Sequence, residues 1–199
     1  VTMTIKKNVS PLGKGFISEV GSIKDLALAS MLRGYKSRVA GGYRALTKDD
    51  IKSAISPGKH LVSPKIDGEL WFLIMEGKDI WLGNPNGRVI SGDIPLLKEA
   101  ATLSNRFHDR TILAGELFAV GKNDRARVGD LRSAMGGGKK AEVDRLGFMA
   151  FDLLEGGDKK KQVPFENYAE TFTAIQSLLK GGKRIQSIRT DIVSSPGEI

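Results

Sequence analysis

Lys65-Ile66-Asp67-Gly68 puts an amine nucleophile, a carboxylate and a glycine into one short turn between two strand-like apolar runs, Leu61 to Ser63 and Leu70 to Met75. A lysine amine attacks phosphorus only when neutral, whereas an unperturbed lysine has a pKa of about 10.4. Such a site therefore calls for desolvation, neighbouring cations or a metal. Glycine at position 68 lets backbone approach a ligand closely. The chemistry that this combination suits is nucleotidyl transfer. The same tetrapeptide also serves as a hairpin turn with a solvated lysine, and K-x-D-G arises by chance in roughly one chain in twenty of this length, so residues elsewhere must decide.

Two later runs carry one functional group each. Ile112 to Phe118 holds Glu116 among apolar residues, where an unpaired charge is costly and calls for a partner or a ligand. Gly147 to Leu154 holds Asp152 beside Phe151. Read without further information, Glu116 pairs with a basic residue or meets a ligand, and Phe151 is core or contact surface. His60 and His108 are isolated and receive no role.

The elements that must position these groups are legible in outline. Strands are predicted at Leu61–Ser63, Leu70–Met75 and Ile80–Leu82, with a turn at Glu76-Gly77-Lys78-Asp79. A second turn at Asn84-Pro85-Asn86-Gly87 leads to a short strand at Arg88–Ile90. Longer strands are predicted at Thr111–Val120, Leu146–Leu154 and Arg184–Val193, and helices at Asp25–Leu32, Pro95–Ser104 and Glu166–Leu179. Thr47 followed by Asp50 reads as a capping-box start to a helix ending at Ser56-Pro57-Gly58, and Ser194–Ile199 as another helix start. The pattern is α+β, with antiparallel sheets flanked by helices as the scaffold of the site.

Composition narrows the partners. Lysine and arginine outnumber aspartate and glutamate 31 to 23, a formal charge of +8, which favours a polyanion. Arg125, Arg127, Arg132, Lys139 and Lys140 crowd a glycine-rich segment between two of the strands, either a nucleic-acid-binding loop or a solvated one. Cysteine is absent, so a metal would need oxygen ligands, which suits magnesium. No apolar run is long enough to span a membrane, and Val1–Ser10 lacks the apolar centre of a signal peptide, so the expected location is cytoplasmic.

Taken together, these residues resemble the ATP-dependent polynucleotide ligases. Lys65 to Gly68 is similar to their motif I, Gly115-Glu116-Leu117 to motif III, and Phe148 to Leu154 to motif IIIa, in the family's order and rough spacing, over about residues 43 to 199. The resemblance implies the ATP-grasp-like nucleotidyltransferase core of DNA ligases. It implies Lys65 as the residue that forms lysyl-AMP, with ATP and Mg2+ as cofactors, and nicked DNA as the partner, RNA being the lesser alternative. It places Ser63, Pro64, Ile66, Gly68, Glu116 and Phe151 around the nucleotide, Phe151 stacking on adenine and Glu116 meeting the ribose or the metal. Charge and position, rather than the resemblance, make Arg125, Arg127 and Arg132 the candidate nucleic-acid contacts. Residues 1–42 are read as a subregion of unknown role and 43–199 as the adenylation domain.

Several positions depart from the family pattern. Leu70 and Pro85 stand where arginines are usual, Ala114 where motif III has aspartate, and Ser63 where a glutamate often precedes the lysine. Motifs IV and V and the OB-fold domain are not found, so the chain is expected to be cut short before motif IV and to self-associate at an exposed sheet edge. Two other functions compete with DNA ligation: an RNA ligase or GTP-using capping guanylyltransferase, and a non-catalytic nucleic-acid-binding module.

Overall fold

The computed structural model describes residues 8–40, 42–121 and 128–198. Among them, a hairpin of β1 (Val9–Leu12) and β2 (Lys14–Ser18) precedes helix α1 (Leu26–Ala40) and the single-turn α2 (Ile51–Ala54). Then come β3 (His60–Val62), β4 (Glu69–Glu76), β5 (Asp79–Gly83), β6 (Val89–Asp93), α3 (Pro95–Leu103) and β7 (Arg110–Ala119). The rest is α4 (Val128–Met135), β8 (Leu146–Glu155), α5 (Tyr168–Leu178), β9 (Ile185–Ser187) and β10 (Asp191–Val193).

Eight of these strands form one sheet in the order β1-β2-β6-β5-β4-β7-β8-β9, and β10 pairs with β3 in a separate ribbon. All pairings are antiparallel except β8 with β9, which is parallel. The α+β expectation therefore holds, with one parallel pair at the sheet's edge. Gly77, at φ 60°, makes the two-residue turn between β4 and β5, in which Glu76 pairs with Asp79. In the next turn the Asn84 side-chain oxygen accepts from the N–H groups of Asn86 and Arg88 at 3.0 and 2.9 Å.

β4 is apolar along most of its length because both of its faces are covered. Trp71, Leu73 and Met75 join the larger core, with Leu113, Leu117, Phe148 and residues of α3, α4 and α5. Phe72 and Ile74 face the other way, into a smaller cluster with Leu28, Leu32 and Tyr35 of α1 and with Ile112 and Ala114 of β7. Alternation along the strands thus assigns α1 to one face and α3, α4 and α5 to the opposite face.

Four local expectations are corrected. The strand read over Arg184–Val193 is two strands in different sheets, because Ile188 is buried and its N–H is taken by the Ala150 carbonyl at 2.8 Å, after which the chain turns away to β3. Thr47 and Asp50 do bond reciprocally, hydroxyl to carboxylate at 2.5 Å and Asp50 N–H to the Thr47 hydroxyl at 3.3 Å, but the helix that follows is only α2. The first helix runs on past Leu32 to Ala40, since Tyr35 and Val39 continue the Leu28/Leu32 stripe. The glycine-rich basic segment contains a helix, α4. No helix among the described residues is long and apolar enough to cross a membrane.

Candidate active site

On the α1 face the pairing of β4 with β7 continues past the small core. Ile112, Ala114 and Glu116 project on one side of β7, so alternation puts the carboxylate directly after two buried apolar residues and across from Leu70 of β4. β7 and β8 pair with register shifts between Ile112 and Leu113 and between Ala114 and Gly115. Phe151 of β8 then packs against the same cluster as Ala114. Here the face is not closed by apolar side chains. A cavity of about 730 Å³ opens, lined by residues that include Tyr35, Lys36, Lys65, Leu70, Glu116 and Phe151.

The lysine reaches this cavity because its segment is held on both sides. Upstream, β3 is paired to β10, and the Ser63 and Thr190 hydroxyls lie 2.6 Å apart. Downstream, the chain enters β4 pressed against β7. A Cβ on Gly68 would lie 2.4 Å from the Leu117 carbonyl oxygen, so a side chain there would push the turn off the strand that carries Glu116.

The far end of α1 is tied to the site by hydrogen bonds. The Tyr35 hydroxyl donates to Asp152 at 2.8 Å, while its ring meets Phe72 edge-on at 5.5 Å. Tyr168 of α5 donates to the Phe151 carbonyl at 2.6 Å. Burial, and after it the Asp152 carboxylate, raises the pKa of both phenols, so each remains a donor at neutral pH. Phe151 is therefore fixed through its own carbonyl and through the side chain of the residue after it. At the other end of α1, Asp25 caps the helix by accepting from the Leu28 N–H at 3.0 Å. Arg110 lies 3.1 Å from Glu155 and 3.8 Å from Asp25, linking that cap to the sheet.

Glu116 is the electrostatic oddity of the cavity. Burial raises its carboxyl above the ordinary value of 4.5, Lys65 and Lys36 oppose this, and Asp67 and Glu69 reinforce it. Its Oε2 is buried without a hydrogen-bond partner among the described residues. A carboxylate beside a cavity, with one oxygen unpartnered by protein, is a ready ligand for a hydroxyl or a metal. Among the described residues no group of three or more His, Asp or Glu stands ready as a complete metal cage.

The structure brings Pro64, Lys65, Ile66, Gly68, Glu116 and Phe151 together around one cavity. Ser63 stands just outside the lining, its hydroxyl engaged with Thr190. Arg132 is exposed on α4, whose Leu131 and Ala134 pack into the larger core, so it belongs to the opposite face of the sheet. Arg125 and Arg127 lie outside the described residues.

No family model and no curated protein matches the chain. Solved structures do. The ligase domain of M. tuberculosis LigD aligns over 67% of this chain and 40% of its own, at 16% identity and a TM-score of 0.50. The chain has the nucleotidyltransferase fold of ligase domains. The protein named Pmar-Lig_Pre aligns over 71% of this chain and 33% of its own, at 17% identity and a TM-score of 0.50. The chain thus spans between a third and two fifths of the solved proteins with this ligase-domain fold.

Sequence reasoning passed over Tyr35, Lys36, Tyr43, Arg44 and Ile188, all of which line the cavity. For Tyr35 a signal existed, since it lies three residues after Leu32 on the apolar stripe of α1. Nothing local marks Ile188, which enters the site through the break between β9 and β10.

Proposed function

We propose that the protein is an ATP-dependent DNA ligase component whose Lys65 accepts AMP and passes it to the 5′-phosphate of a nick. The observation that carries this reading is the convergence of Lys65, Glu116 and Phe151, from three separate segments, on one cavity in a ligase-domain fold. The Lys65 amine in its neutral form attacks the α-phosphorus of ATP. A nitrogen–phosphorus bond forms, the bond to pyrophosphate breaks, and the amine proton leaves to solvent. Transfer of AMP to the nick phosphate regenerates Lys65, and the facing 3′-hydroxyl then displaces AMP to join the strands. Phe151, fixed by its Tyr168 bond, offers a face on which adenine stacks.

Magnesium fits the donor chemistry of Glu116, because it commonly takes one or two protein carboxylates and completes its shell with substrate phosphates and water. When bound, it offsets charge on the phosphates. Glu116 would supply a carboxylate oxygen from the cavity wall, whether the contact is to the metal or to a ribose hydroxyl.

Incubation with ATP and magnesium followed by intact mass spectrometry tests the reading. One AMP adduct is expected, absent from Lys65→Ala, whose thermal stability should stay within about 0.5 kcal/mol of the parent because Lys65 is exposed. An adduct that survives the substitution would overturn the role of Lys65. A GMP adduct formed in preference to AMP would move the assignment to capping-type chemistry, and binding of nicked duplex with no adduct would favour a non-catalytic module.

A further inference from the structure

We infer that Lys36 and Arg44, which precede the resembling motifs, form the clamp that holds the polyphosphate in this cavity. The inference rests on the nucleotide-binding reading of the same site. The cavity lining carries three cations, Lys36, Arg44 and Lys65, against the single carboxylate Glu116. One cation is assigned to bond formation, leaving two that the reaction has not used. They lie where charge is otherwise short, since Leu70, opposite Glu116, supplies an apolar wall of the cavity.

The placement of Lys36 is a property of α1. Tyr35 is buried and bonded to Asp152, so the next residue, Lys36, is carried to the cavity rim while remaining exposed. The chain beyond α1 continues along the same rim through Tyr43 to Arg44, also exposed. Neither side chain takes part in an ion pair among the described residues. Two exposed cations that line the same cavity as the nucleophile suit a linear polyanion with one end at Lys65.

Inorganic tripolyphosphate is the probe, because it carries the charge without the base. Calorimetric titration of the parent protein should show binding, and Lys36→Ala combined with Arg44→Ala should weaken it about tenfold or more. The same pair should lower ATP affinity much more than adenosine affinity. The charge-preserving pair Lys36→Arg and Arg44→Lys should restore most of the binding, which a purely structural role would not predict. Equal tripolyphosphate affinity in the parent and the doubly neutralised protein would overturn the inference, as would failure of the parent to bind it. If ATP and tripolyphosphate binding are unchanged by neutralisation but nicked-duplex binding falls, the cations serve the nucleic-acid phosphate instead and the inference also fails. Its failure is separable from that of the parent reading: tripolyphosphate binding without a Lys65 adduct sinks adenylylation alone, and an adduct with unchanged polyphosphate affinity sinks the clamp alone.

Discussion

The two faces of the large sheet solve opposite problems. On the face covered by α3, α4 and α5, a continuous buried apolar core runs from Leu12 and Ile90 through Trp71 and Leu113 to Phe148 and Ile185. On the other face α1 covers only part of the same strands, and where it ends the alternating positions change from Ile112 and Ala114 to Glu116, and from Phe72 to Leu70 beside an open cavity. Stability is concentrated on the closed face, and the open half of the other can therefore hold a carboxylate that weakens the fold.

Truncation on the closed face should have the largest effect. Phe148 is fully buried between β7 and the helices, so Phe148→Ala should cost about 3–5 kcal/mol, read as a large fall in the midpoint of urea denaturation. A loss below 1 kcal/mol would show that the closed face is not the dominant core. An intermediate effect is expected at the boundary between packed and open surface. Tyr35→Phe removes the donor to Asp152 while keeping the ring contact with Phe72, and should cost about 1–2 kcal/mol and slow AMP transfer by loosening the strand under Phe151. If stability falls and the transfer rate is unchanged, Tyr35 braces the fold without positioning the site.

The smallest effect should have the opposite sign. The folded-state pKa of Glu116 is raised by burial, so the folded protein holds this proton more tightly than the unfolded chain and loses stability as pH climbs from about 4.5 through the folded value. Glu116→Gln should therefore match the parent below about pH 4 and gain roughly 1–3 °C in Tm at pH 7, a modest figure because water at the cavity mouth screens the charge. The same variant should form adduct more slowly. Equal melting curves at both pH values would show that Glu116 is solvated well enough to carry no cost.

Much of the closed face was legible beforehand. Runs such as Leu70–Met75 and Thr111–Val120 are bounded by turn residues and largely apolar, and their strand character does not depend on distant partners. Lys65, Glu116 and Phe151 stood out because each breaks or ends such a run. The open face was harder to read. Part of it comes from α1, whose second turn onward mixes Arg33, Lys36 and Arg38 with the stripe residues and carries Gly34, so the apolar signal fades where the helix does not. The division of Arg184–Val193 has no local cause at all: neither glycine nor proline interrupts Ile188-Arg189-Thr190, and only competition between β8 and β3 for the backbone splits the strand.

The pairing of β3 with β10 also sets an order of events. Its two short strands meet only when the chain closes a loop running from Val62 to Asp191, an entropic cost of about 4 kcal/mol for ends so far apart in sequence. Three residue pairs cannot meet that cost alone, so the ribbon waits for the sheet between them to assemble and bring its halves together. During synthesis, the segment leading to Lys65 emerges early but lacks its upstream anchor until Val193 has left the ribosome. The lysine is then set in place by a strand made long after it.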